Sequence, residues 1–203
     1  MREETVFVVD DDQAVARSLR WLFETVHLKV ETFSSAQSFL DGYDSSKPGC
    51  LVLDVRMPGM SGLDLQERLA AQRIHLPIIF ITGHGDVQMA VRAVKSGAFD
   101  FVEKPFNDQD LLERIHKAIT FDAVQRSQDA QRTQLRALFA SLTTREREVL
   151  DLVVEGKSNK AIANWFGLSA KTIEVHRAKM MEKMNARSVA DLVKMTMQFH
   201  ALS

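Results

Sequence analysis

The chain has 203 residues, 45% of them hydrophobic and 26% charged, with a formal net charge of −1. That length fits one large domain or two small ones. A single cysteine, Cys50, excludes an internal disulfide, and no apolar run approaches the roughly 20 residues of a membrane span. With no basic-plus-apolar leader at its start, the chain reads as a cytoplasmic protein without a membrane partner.

The first half alternates strand and helix. Val6 to Val9 is a short apolar run that ends in Asp10-Asp11-Asp12. A helical face follows, with Ala14, Val15, Leu19 and Leu22, then a short strand from Val30 to Phe33. Ala36, Phe39 and Leu40 mark a second helix capped by Ser34 or Ser35. The run Cys50 to Leu53 ends in Asp54, and the turn-rich loop Met57-Pro58-Gly59-Met60-Ser61-Gly62 leads to a helix with Leu63, Leu65 and Leu69. The run Pro77 to Ile81 ends in Thr82. Next comes Gly83-His84-Gly85-Asp86 and a helix with Val87, Ala90, Val91 and Val94 that stops near Gly97. A last strand, Phe99 to Glu103, ends at Lys104-Pro105, and a helix runs from about Asp108 to Ile119. Five such units predict a doubly wound parallel sheet of flavodoxin-like α/β type.

Residues 121–142 contain neither Gly nor Pro. Phe121, Val124, Gln128, Gln131, Leu135, Leu138 and Leu142 follow a 3-4 spacing, which predicts an extended helix joining two domains. That helix is either a dimerising seam or a solvated spacer whose last leucines pack on the second domain.

Only helices follow. Thr143 or Thr144 with Glu146 or Glu148 resembles a capping box, opening a helix that runs through Val154. A short helix spans Asn159 to Phe166, and Ser169 caps a longer one, Ala170 to Met184. Ser188 caps the last. The link Gly167-Leu168-Ser169, between a short helix and a longer basic one, has the form of a helix-turn-helix. Residues 143–203 carry ten Lys/Arg against seven Asp/Glu, so the remainder is the acidic part. The two ends therefore suit different partners.

In an open α/β sheet the carboxyl ends of the strands gather at one edge. That edge would collect Asp10, Asp11, Asp54, Thr82 and Lys104. Clustered carboxylates repel one another by about 4 kcal/mol per pair at 4 Å and call for a cation, and Mg²⁺ suits a site of few carboxylates plus water and phosphate oxygens. A carboxylate so placed can attack a phosphoryl group. Lys104 would neutralise phosphoryl oxygens and Thr82 would donate a hydrogen bond to one. Asp12 is expected only to cap the following helix, and Cys50 only to fill the core.

Val9-Asp10-Asp11, Asp54 to Gly62, Thr82 to Asp86 and Glu103-Lys104-Pro105-Phe106 together resemble the receiver domain of bacterial response regulators. The resemblance implies that Asp54 accepts phosphate from a sensor histidine kinase. It also implies that Asp10, Asp11, Asp54 and the backbone carbonyl of Arg56 hold Mg²⁺, and that Thr82 and Phe101 form a switch pair.

The helix from Ala170 carries Lys171, Glu174, Arg177 and Lys179, while Ile173, Met180 and Met184 repeat at core spacing. Arg177 is suited to guanine and Glu174 to cytosine N4. Leu142 to Leu150, Gly156 to Ala163 and Lys171 to Arg177 resemble the LuxR-type helix-turn-helix. The whole chain is thus similar to the FixJ-type response regulators of the NarL/LuxR family. That resemblance implies a DNA-facing set of Lys160, Lys171, Thr172, Glu174, Val175, Arg177, Ala178 and Lys179. Glu174 departs from relatives that carry Lys there, so their base contacts do not transfer at that position.

The resulting expectation is a receiver at 1–120, a helical linker at 121–140 and a small all-α, four-helix DNA-binding domain at 141–203. Phosphorylation would control homodimerisation, through the helix after Gly85 and the strand at 100–103, and sequence-specific binding to promoter double-stranded DNA. RNA polymerase would be a further partner. Two other readings stand beside it. One is a Mg²⁺-dependent phosphohydrolase, for which Arg56 occupies the place of the missing second acid. The other is an adaptor whose helical tail binds protein or RNA.

Overall fold

The computed structural model describes residues 4–83 and 87–201, except for the Val87 side chain. The expectations placed on His84, Gly85 and Asp86 lie outside the described residues.

The chain divides into two compact units, Met1–Arg126 and Ser127–Ser203. In the first, strands β1 (Thr5–Val9), β2 (Lys29–Phe33), β3 (Gly49–Asp54), β4 (Ile78–Thr82) and β5 (Asp100–Glu103) form one sheet. All neighbours are parallel and the order is β2-β1-β3-β4-β5. Helices α1 (Gln13–Thr25), α2 (Ala36–Gly42), α3 (Gly62–Ala71), α4 (Val87–Lys95) and the start of α5 (Asp108–Ala140) alternate with them. This is the flavodoxin-like arrangement.

β1, β3 and β4 read as unbroken apolar runs because both faces of the sheet are covered. Val6, Val8, Val52 and Ile81 pack with Leu19, Phe23, Leu111 and Ile115 on one face. Phe7, Leu51, Leu53 and Phe80 pack with Phe39, Leu65 and Leu69 on the other. Cys50 is fully buried in the first layer. Local signals set the helix starts. Asp12 caps α1 by accepting from the Ala14 and Val15 amides, and Ser35 and Ser61 form capping boxes with Ser38 and Asp64.

The helix expected from about Asp108 to Ile119 and the linker helix expected at 121–140 are one, with α5 running unbroken from Asp108 to Ala140. No Gly or Pro interrupts that stretch, so nothing in the backbone stops the helix. Its residues are divided between the two units. Asp122 is 1% exposed. Its Oδ2 accepts from the Gly49 amide at 2.9 Å and from Arg126 Nε at 2.7 Å. Arg126 also donates to the Ser45 and Lys47 carbonyls. These bonds fasten the helix to the loop between α2 and β3.

In the second unit, Leu135 and Phe139 of α5 and Leu142 join a core with α6 (Thr144–Val154), α7 (Asn159–Phe166), α8 (Ala170–Lys183) and α9 (Val189–His200). The capping box uses Thr143 and Glu146. Gly167 ends α7 in the left-handed conformation (φ 66°), which glycine adopts without strain. Ser169 opens α8 directly afterwards. Among the described residues, no helix is long and apolar enough to cross a membrane.

Candidate functional site

The strand order reverses direction between β1 and β3, so the crevice beyond their carboxyl ends is open to a ligand. Val9 pairs with Leu53 in the parallel register, which places Asp10 beside Asp54. Both are almost fully enclosed. Asp10 Oδ1 accepts from the Asp12 amide at 2.9 Å, and Asp54 Oδ2 accepts from the Arg56 amide at 2.7 Å. These bonds orient each carboxylate from its own chain.

Lys104 follows β5, on the far side of β4. Its backbone N–H donates to the Thr82 carbonyl at 2.8 Å, and the Lys104–Pro105 peptide is cis. Its Nζ reaches back over β4 to Asp10 Oδ2 at 3.1 Å and to Asp54 Oδ1 at 3.3 Å. Thr82 ends β4 and is buried. Asp11 stands exposed at the rim. Phe101 is half-buried and pairs with Phe80 across the β4–β5 register, their rings 6.4 Å apart. Thr82 lies two residues beyond Phe80, so it shares a sheet face with Phe101.

Gly62 closes the loop that follows Asp54. Its amide donates to the Val55 carbonyl at 3.0 Å. A Cβ at this position would lie 2.2 Å from the Asp54 carbonyl oxygen, so no larger residue fits without moving the loop.

Burial pushes the Asp54 carboxyl above the usual range; Lys104 opposes that shift and Asp10 adds to it. Burial alone would lower the Lys104 ammonium, but Asp10 and then Asp54 outweigh it and raise it. One ammonium thus faces two carboxylates, and Asp11, next in sequence to Asp10, is exposed. Among the described residues, no three His, Cys, Asp or Glu side chains converge to enclose an ion by themselves. The excess of anionic oxygen still fits Mg²⁺, which takes one or two carboxylates and retains several waters.

In the second unit, Ile173, Met180 and Met184 are buried, as their spacing predicted. Lys171, Glu174, Val175, Ala178 and Lys179 are exposed on α8, and Lys160 is exposed on α7. Lys171 Nζ lies 3.2 Å from Glu174 Oε2. Thr172 is half-buried beside the helix cap, its hydroxyl 2.8 Å from that of Ser169. Arg177 is also half-buried rather than on the open face, and its Nη1 donates to Asn159 Oδ1 at 2.9 Å. Asn159 was not singled out by sequence reasoning; an Asn in the first turn of a helix carries no signal of a partner 18 residues away.

Residues 6–116 match the response regulator receiver domain family, and residues 140–196 match the luxR family of bacterial regulatory proteins. Nodulation protein W of Bradyrhizobium diazoefficiens is 50% identical over 94% of this chain and 84% of its own. The transcriptional regulatory protein FixJ of Azorhizobium caulinodans is 45% identical over 95% of this chain and 91% of its own. The solved structure of the response regulator StyR is 47% identical and covers 97% of this chain and 99% of its own, with a TM-score of 0.93.

Proposed function

The chain belongs to the response regulators that join a receiver domain to a LuxR-type DNA-binding domain, and from that premise we propose that Asp54 is its phosphoacceptor. As a two-component response regulator and transcriptional regulator, it has a histidine kinase and DNA as its partner classes. The observation that carries the assignment is Lys104 Nζ facing both buried carboxylates, Asp10 and Asp54.

In the proposed reaction an Asp54 oxygen attacks a phosphoryl group on the kinase histidine. The phosphorus–nitrogen bond breaks as the new phosphorus–oxygen bond forms, leaving an aspartyl phosphate. Positioning and charge stabilisation supply most of such catalysis. Asp10, Asp11, Asp54 and the Arg56 carbonyl would hold Mg²⁺, which when bound offsets the charge of the phosphoryl oxygens. Lys104 would exchange its carboxylate partners for a phosphoryl oxygen. The Thr82 hydroxyl would donate to another, and Phe101, on the same face, would repack into the space that Thr82 leaves.

The output would be a homodimer bound to promoter DNA. Val91 and Val94 stand exposed on α4, beside β5, and support that face as the dimer surface. The exposed basic residues Lys160, Lys171 and Lys179 suit DNA phosphates, while Glu174, Val175, Arg177 and Ala178 are the side chains proposed to face bases. Intact-protein mass after treatment with acetyl phosphate and Mg²⁺ tests the acceptor. The native chain should gain one phosphoryl group and Asp54→Asn none. Equal labelling of both would overturn the assignment.

A further inference from the structure

We infer that Asn159 is a positioning residue for DNA recognition, aiming the guanidinium of Arg177 from the neighbouring helix of the motif. This rests on the proposed contact between Arg177 and DNA.

Arg177 borders the exposed face of α8, one turn after Glu174 and next to Ala178. A free arginine on a helix face samples many rotamers, and fixing it at a binding interface costs conformational entropy. Here that cost is met largely before DNA arrives. Arg177 Nη1 donates to Asn159 Oδ1 at 2.9 Å across 18 residues of chain, and the bond is partly enclosed. Asn159 is itself held. It is the first residue of α7, directly after the capping Ser158, whose side chain accepts from the Ala161 amide.

The chemistry of the acceptor matters as much as its position. A neutral amide oxygen takes one of the five guanidinium N–H groups and leaves the full positive charge. A carboxylate at that place would orient Arg177 equally well, but its negative charge would repel the DNA backbone whatever the sequence. The bond also joins two contacts of different kinds into one frame. Lys160, adjacent to Asn159, is exposed for the DNA backbone, while Arg177 lies at the base-facing helix. Displacement of α7 against α8 would therefore disturb register and base reading together.

A double-mutant cycle on the phosphorylated full-length protein tests this. The probes are a duplex enriched by the native protein from a random library and a scrambled duplex of equal length. Arg177→Ala and Asn159→Ala should each lower the ratio of affinities for the two duplexes about five- to tenfold, and the double variant should be no worse than Arg177→Ala. Asn159→Asp, which keeps an acceptor, should restore that ratio while weakening binding to both duplexes through its added charge. Asn159→Ser, compatible with the helix start but too short to reach Arg177, should behave as Asn159→Ala and serves if the alanine variant unfolds. Additive losses, or an unchanged ratio in both the Ala and Ser variants, would overturn the role of Asn159 alone. An unchanged ratio in Arg177→Ala would remove the base contact itself, and the inference with it.

Discussion

Lys104 Nζ sits 3.3 Å from Asp54 Oδ1, although the two residues are 50 apart in sequence and a whole strand separates β3 from β5. The same ammonium is 3.1 Å from Asp10 Oδ2. Among the described residues, the Lys104 ammonium therefore serves two enclosed carboxylates.

Removing that cation should expose the repulsion. Lys104→Ala should destabilise the receiver by about 1–3 kcal/mol without Mg²⁺, less than for a fully enclosed pair because Lys104 is partly open to solvent. Added Mg²⁺ should then recover more stability in the variant than in the native chain. Urea unfolding across a Mg²⁺ series reads both, and a Mg²⁺-independent midpoint in the variant would contradict the metal assignment.

Gly62→Ala tests the close approach at the site loop. The added Cβ would meet the Asp54 carbonyl oxygen at 2.2 Å. Forcing the loop aside should cost about 1–3 kcal/mol and slow labelling of Asp54 by acetyl phosphate. A native labelling rate in a stably folded variant would show that the loop has room to move.

Asp122 should matter to the receiver although it lies beyond the expected end of that domain. Asp122→Ala takes the one anionic partner from Arg126, which keeps its bonds to the Ser45 and Lys47 carbonyls, and leaves the Gly49 amide without its acceptor, at a cost of about 1–3 kcal/mol. Hydrogen exchange should accelerate at Gly49 specifically. Unchanged protection there would mean that the bond carries no stability.

Glu146 predicts an acid limit for the second unit. The Lys183 ammonium, then the Thr143 amide, hold its carboxyl down to about 2, against an ordinary 4.5. The folded form thus binds the proton more weakly than the unfolded form. Its contribution is complete above pH 4.5 and is lost as pH falls through about 2. Glu146→Gln should flatten that acid limb, as read by hydrogen exchange in α6 and α8; an unaltered limb would assign the loss to other groups.

On the DNA side, the two kinds of contact separate by salt. Lys160→Ala should weaken binding to all sequences and reduce the slope of log affinity against log salt by about 0.9. Glu174→Ala should change preference at one base pair and free Lys171 from its 3.2 Å partner. Equal losses on all sequences for Glu174→Ala would remove it from base reading.

The convergence of Asp10, Asp54, Thr82 and Lys104 was legible because each ends an apolar run, and parallel strands buried on both faces leave few other readings of such runs. Caps were legible too, since Ser or Thr followed by an acid three residues later has a local cause. What escaped was non-local. The fastening of Asp122 depends on Gly49, 73 residues earlier. For the same reason, Arg177 reads as an outward base contact in sequence, while its link to Asn159 needs α7 and α8 docked together. A periodicity argument assigns a face to a helix but not the partners at its border.

We propose that the state of Asp54 sets the assembly that binds DNA. Sedimentation velocity at saturating Mg²⁺, with and without beryllofluoride, tests it on the native chain and on Asp54→Asn. The native chain should shift from monomer to dimer on adding beryllofluoride, and Asp54→Asn should remain monomeric. A shift of equal size in both proteins, or in neither, would contradict the account.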